Sequence, residues 1–224
     1  MLAIYFSIFY NGHIEVRKMT IDSIDSKDLL KSILESLGRI DYIHADEIPN
    51  IDLYMDQVTT FMEEQLKSSK RYPDDKVMTK TMINNYAKNN LLPPPVKKKY
   101  SKEHILVLIF IYYFKNILSI KDIETLLGPL TEKYFSSNDE IDMERIYEDV
   151  CKLEKNRVND LQDEITHCYQ EAEDLYQDAP EEDQKYLQIF AFICSLSFDV
   201  YMKKLLIEKL VDEIAPPETG KKKK

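Results

Sequence analysis

Residues 79–127, TKTMINNYAKNNLLPPPVKKKYSKEHILVLIFIYYFKNILSIKDIETLL, decide the fold. Thr79 can accept a backbone hydrogen bond as the N-cap of a short helix over residues 80–90. At 100° per residue, Met82, Ile83, Tyr86, Ala87 and Asn90 gather on one side of that helix, while Thr81, Asn84, Asn85 and Lys88 gather opposite. Leu91-Leu92 followed by Pro93, Pro94 and Pro95 stops it, because proline excludes helical continuation. Residues 96–100 are then extended and carry Lys97, Lys98 and Lys99 in succession, with room for only a stunted hairpin. Ser101 opens a strongly apolar helix over 102–116. Ser119 caps a further helix over 120–127, expected to end at Gly128-Pro129. Helix, turn, helix, lysine-rich extended segment and helix again is the order of a winged helix-turn-helix module.

Outward from this stretch, the charge is unevenly spread. The chain of 224 residues has a net charge of −10, which on average disfavours a polyanionic partner. Yet residues 76–102 contain seven lysines and no Asp or Glu, whereas residues 131–183 contain 18 acids against 5 bases. The molecule is polarised into a basic middle and an acidic helical remainder.

Upstream, AIYFSIFY-NG-HIEVRKM places Asn11-Gly12 between two β-rich runs, the strongest short hairpin signal. The alternative is a dispensable leader ahead of Met19. A helix is expected from Ser26 to about Leu37 with Gly38 at its stop, and another over 52–66 capped by Asp52. Downstream, one long helix is expected over 139–176, with Val158, Leu161, Ile165, Cys168, Ala172 and Leu175 forming a heptad seam. A second, over 182–214, is apolar nearly all round between Tyr186 and Tyr201, which implies burial on several sides. The expected domains are 1–18, the hairpin or leader; 19–135, the winged helix-turn-helix; 136–214, a helical association domain; and 215–224, a disordered basic tail.

The run from Met82 to Leu127 resembles the DNA-binding segment of MerR-like regulators. Tyr86, Leu91, Leu92, Pro93, Tyr100, Ser101 and Glu103 fill the places of that family's tyrosine, Leu-Leu-Pro, and wing-to-helix Tyr-Ser-acid pattern. The family's wing Gly-Tyr-Arg is missing, its glycine before Leu-Leu is Asn90 here, and the span from Leu66 to Thr79 exceeds the usual tight turn. A closer resemblance, over residues 48–127, is to an uncharacterised bacterial family, domain of unknown function 1836. The resemblance implies a mainly α fold built on a MerR-like winged helix-turn-helix core with a short β wing. A long C-terminal helical hairpin is expected to follow.

The physical case for duplex DNA stands beside the resemblance. A helix enters the major groove only if its outward face repels neither phosphates nor base edges. Asn84 and Asn85 can pair bidentately with adenine edges, Thr81 can reach a base or phosphate, and Lys80 and Lys88 can meet phosphate. Lys97, Lys98 and Lys99 beside the groove would add sequence-independent affinity through counterion release. The plain alternative is a solvated helix face followed by a solvated lysine run. The expected activity is transcriptional regulation by a homodimer paired through its C-terminal helices, because one recognition helix reads too few base pairs. A helical adaptor that binds a protein partner and has lost DNA is the competing reading.

Other chemistry finds little footing. Four glycines disfavour phosphate-cradling loops and doubly wound nucleotide folds. His13, His44, His104 and His167 show no metal-ligand spacing with one another or with Cys151, Cys168 and Cys194, so no metal or cofactor is expected. Three widely spaced cysteines fit reduced thiols in a cytoplasmic protein. No nucleophile motif appears and the paired carboxylates lie on polar helix faces, so no enzyme is expected. No apolar run is long enough to span a membrane.

Overall fold

The computed structural model describes residues 3–10, 13–20, 26–37, 42–137, 139–155 and 157–215, and within these it is mainly helical. The chain folds as two units: residues 1–39 with 156–201, and residues 40–155 with 202–224. The Asn11-Gly12 turn, Gly38 and the lysine tail beyond Ala215 lie outside the described residues.

In the first unit, β1 (Ala3–Tyr10) and β2 (His13–Thr20) pair antiparallel, from Ala3 opposite Thr20 to Tyr10 opposite His13. That register leaves two residues between the strands, as the Asn-Gly signal requires. The helix α1 (Ser26–Leu37) follows, with Leu30 buried.

The expected long helix over 139–176 is two helices, α6 (Met143–Lys155) in the second unit and α7 (Val158–Glu173) in the first. Gln162 Nε2 on α7 donates to the Leu34 carbonyl of α1 at 3.4 Å. The last helix, α8 (Glu181–Ile214), begins after Pro180, whose carbonyl accepts from Asp183 N–H at 2.8 Å. Gln188 Nε2 of α8 donates to the carbonyls of Glu173 (2.7 Å) and Leu175 (3.1 Å). It thereby satisfies carbonyls at the end of α7 that have no partner within the helix. Tyr169 meets Phe192 edge-on at 5.3 Å, and the Cys168 thiol donates to Ser195 Oγ at 3.1 Å.

Only one side of this part of α8 is covered. Ile189, Phe192 and Leu196 are half-buried, while Tyr186, Phe190, Ile193, Phe198, Val200 and Tyr201 are exposed. All-round burial is therefore not what the structure has. The heptad seam is likewise covered only in part: Ala172 is buried, but Val158, Leu161 and Leu175 are exposed.

The second unit is built around α4 (Lys102–Phe114), whose residues from Ile105 to Ile111 are all buried. A helix this apolar on every side needs cover on every side. It receives Val58 and Met62 from α2 (Met55–Gln65), Ile83 and Tyr86 from α3 (Lys80–Lys88), and Ile123 and Leu127 from α5 (Ile120–Tyr134). Met143 and Tyr147 of α6 complete the core, with the Tyr147 hydroxyl donating to the Ile43 carbonyl at 2.6 Å.

Two boundaries differ from the sequence reading. Asp52 does not cap α2, because β3 (Leu53–Tyr54) intervenes and the Tyr54 N–H donates to Gln57 Oε1 at 2.9 Å. The helix begun at Ser119 does not end at Gly128-Pro129 but runs through both. Thr131 Oγ1 donates at 3.0 Å to the carbonyls of Leu127 and Gly128, and Leu130 and Tyr134 pack against the core. Burial on the far side of Pro129 thus outweighs the hydrogen bond the proline removes. Ser119 is the N-cap as expected: its Oγ accepts from Asp122 N–H at 3.2 Å, and Asp122 Oδ2 accepts from Ser119 N–H at 3.1 Å.

Candidate nucleic-acid interface

The helix α3 forms where its cap and apolar face require. Thr79 Oγ1 accepts from Met82 N–H at 3.2 Å, and Ile83 and Tyr86 point into the core. Its C-terminus closes with Leu91 N–H donating to the Tyr86 carbonyl at 3.0 Å and Asn90 N–H to Ala87 at 3.4 Å. This is a Schellman closure, with Asn90 in the left-handed position at φ 57° where glycine is usual. Leu91 and Leu92, directly after it, are buried and anchor the chain as it leaves the helix. Asn90→Gly removes the Cβ penalty of that conformation, so the variant is expected to be more stable by about 0.5–1 kcal/mol, read from the denaturant midpoint.

Thr81, Asn84, Asn85 and Lys88 are all exposed. Among the described residues, no hydrogen bond or ion pair joins the side chains of these four to an acid. Lys80 differs: it is exposed but forms an ion pair with Asp56 of α2.

Residues 96–100 are not extended throughout as expected: 96–99 close into a four-residue turn, which is all that the short span allows of a hairpin. Lys99 N–H donates to the Val96 carbonyl at 2.9 Å, with Lys97 at φ 51° and Lys98 at φ 64°. Positive φ at both central positions is the type I′ arrangement that favours Asn-Gly. Here two lysines occupy it, both exposed. The strand β4 (Lys99–Tyr100) then pairs antiparallel with β3, Leu53 opposite Tyr100 and Tyr54 opposite Lys99. Lys99 is held differently from its neighbours: it is half-buried, with Nζ 5.4 Å from the centre of the Tyr54 ring.

Behind the turn sits His104, 3 % exposed. Its Nδ1 accepts from Ser101 N–H at 3.0 Å, and its ring meets Tyr100 and Phe135 edge-on at 5.4 and 4.8 Å. Among the described residues no group reaches Nε2 at full hydrogen-bond geometry, although the Pro93 and Pro94 carbonyls lie close enough to act on the ring. Burial pushes the imidazole below its ordinary range, opposed in part by the Pro94 carbonyl, Glu103, the Pro93 carbonyl and Asp52. Between that lowered value and the ordinary value near ~6.5, the unfolded chain binds more protons than the folded one, so stability falls as pH drops below about 6.5. The expected result is a urea midpoint that declines on acidification in the parent and declines less in His104→Gln, which can keep an acceptor for Ser101.

The long connection from Leu66 to Thr79 is tied down by side chains that local sequence patterns do not mark. Glu63 pairs with Lys70 and accepts from Val77 N–H at 3.3 Å, and these contacts, the Lys70 hydrogen bond first, hold its carboxyl below the usual range. Lys115 Nζ donates to the Val77 carbonyl at 2.8 Å and lies 4.5 Å from the Tyr112 ring centre; burial lowers its pKa. The Tyr112 hydroxyl meets Ser69 Oγ. One signal was visible: Lys115 is the single charge in residues 105–120.

The expected site residues therefore sort into three settings. Thr81, Asn84, Asn85 and Lys88 share one exposed helix face, Lys97 and Lys98 tip the turn, and Lys80 and Lys99 are engaged within the protein. Among the described residues no three His, Cys, Asp or Glu side chains come together to hold a metal ion, and no helix is long and apolar enough to cross a membrane.

Residues 43–150 match the family model of a domain of unknown function (DUF1836). The match contains β3, α2, α3, the lysine turn, β4, α4 and α5, and most of α6. No curated protein and no solved structure matches the chain.

Proposed function

We propose that the chain is a DNA-binding transcriptional regulator. In this reading α2 and α3 form a winged helix-turn-helix of MerR-like character, with the turn at 96–99 as its reduced wing. The observation that carries the reading is the exposed face of α3, with two amides, a hydroxyl and a lysine and, among the described residues, no acid bonded to any of their side chains. Asn84 and Asn85 present the paired donor and acceptor that adenine N6 and N7 require in the major groove. Lys88, Lys97 and Lys98 supply positive charge for phosphate. Holding two non-glycine residues in the left-handed region costs free energy, and strain of this kind is drawn to positions where the side chains have work to do.

The regulator acts in the cytoplasm without cofactor or enzymatic activity, as a homodimer through its C-terminal helices. One helix of nine residues contacts only a few base pairs, and a second copy doubles the site. The adaptor reading draws on Asp56, whose carboxylate beside Lys80 neutralises one cation near the start of α3. Capture of genomic fragments by the full chain, followed by sequencing, separates the two. A regulator enriches a recurring motif, with two half-sites if dimeric, and an adaptor enriches nothing over input.

A further inference from the structure

We infer that the outward face of α8 between Tyr186 and Tyr201 is the surface on which a second copy of this chain docks, with the two helices antiparallel. The inference deepens the homodimer part of the proposed function and is independent of whether DNA is bound. Tyr186, Phe190, Ile193, Phe198, Val200 and Tyr201 are between 45 and 63 % exposed. At roughly 100 Å² for each half-exposed large side chain, they present on the order of 600 Å² of mainly apolar surface. That equals the upper end of patches on ordinary monomers, about 300–600 Å², and approaches the about 800 Å² per partner of a stable interface. Leu187, Ala191, Cys194 and Ser197 border these side chains and supply much of the difference. Residues 186–198 contain no charged side chain, as the centre of a self-association surface requires.

The orientation follows from size and charge. An antiparallel pair centred between Ile193 and Cys194 sets Tyr186 against the partner's Tyr201. It also sets Phe190 against the partner's Ser197, so each phenyl ring faces a small residue, twice by symmetry. A parallel pair in register would set Phe190 against Phe190 and leave a gap between the two serines. It would also bring together two acidic first turns, each carrying Glu181, Glu182 and Asp183, whereas the antiparallel pair keeps them apart.

The test is sedimentation of the full chain over a concentration series, with circular dichroism to follow helix content. The parent is expected to be a dimer, and Ile193→Glu, which sets two carboxylates beside the axis, to be a helical monomer. Ser197→Arg, which fills the space facing Phe190, should weaken the dimer at least tenfold. For orientation, Cys151, Cys168 and Cys194 are replaced by serine, and Tyr186→Cys protein is mixed with Tyr201→Cys protein under mild oxidation. The expected product is the mixed disulfide. A parent that is monomeric at every concentration overturns this inference and the homodimer reading together. A dimer that survives both Ile193→Glu and Ser197→Arg overturns this face while leaving the homodimer reading standing. Cross-linking of each cysteine variant only with itself overturns the antiparallel arrangement.

Discussion

Replacing Lys97 and Lys98 together by alanine is expected to lower affinity for any DNA duplex roughly 60-fold at about 0.1 M salt, with little dependence on sequence. Each phosphate contact contributes about 0.9 to the slope of log affinity against log salt, so loss of two flattens that slope by about 1.8. The structure sharpens the expectation by separating Lys99 from its neighbours. Lys99 lies against the Tyr54 ring in the β3–β4 pairing, whereas Lys97 and Lys98 are exposed at the turn and have no ion-pair partner among the described residues. Lys99→Ala alone should therefore move the slope less than either of the other two. Because alanine in the left-handed region is no more strained than lysine, the double variant should fold as the parent does. Its unfolding midpoint checks this. Parent-like binding at every salt concentration would remove the turn from the interface.

The second large effect falls on specificity. Asn84→Ala and Asn85→Ala should each cost about 1–3 kcal/mol of discrimination against the wrong base, with the salt slope unchanged. Both side chains are exposed and on the opposite side of α3 from Ile83 and Tyr86, so neither substitution disturbs the core. The measurement is competition of a specific duplex against random duplex for parent and variants. If both variants retain the parent's sequence preference, α3 is not the reading helix.

The two sets of variants therefore lose different things: the lysines affinity in proportion to salt, the asparagines preference for sequence. An adaptor with a solvated helix face would show neither pattern.

What the sequence made legible was local. Thr79, Ile83, Tyr86 and Asn90 specify α3 and its ends through capping, helical period and tolerance of positive φ, and each of these acts within a few residues. The turn at Lys97-Lys98 was legible as a length, since only a short hairpin fits between Pro95 and Tyr100. What escaped were features set across the fold. Pro129 reads as a helix stop until Leu130 and Tyr134 are seen packed on the core. Asp52 reads as a cap until Leu53 is seen opposite Tyr100. Apolarity around α8 reads as burial, yet Tyr186, Phe190, Ile193 and Phe198 are exposed. The candidate site shows the same division. The exposed face of α3 follows from its period, but the Asp56–Lys80 pair and the Lys99–Tyr54 contact join residues far apart in the chain.

The DNA-binding function proposed for this chain rests on the placement of the exposed face of α3 in the major groove of DNA. Its most direct test is the affinity of the purified full chain for random-sequence duplex, measured from about 50 to 200 mM salt, for the parent and for a variant with Thr81, Asn84, Asn85 and Lys88 all changed to glutamate. The parent is expected to bind with an affinity that weakens steeply with salt, and the variant not to bind at any salt concentration. Absence of parent binding at the lowest salt, or equal binding by parent and variant, would contradict it.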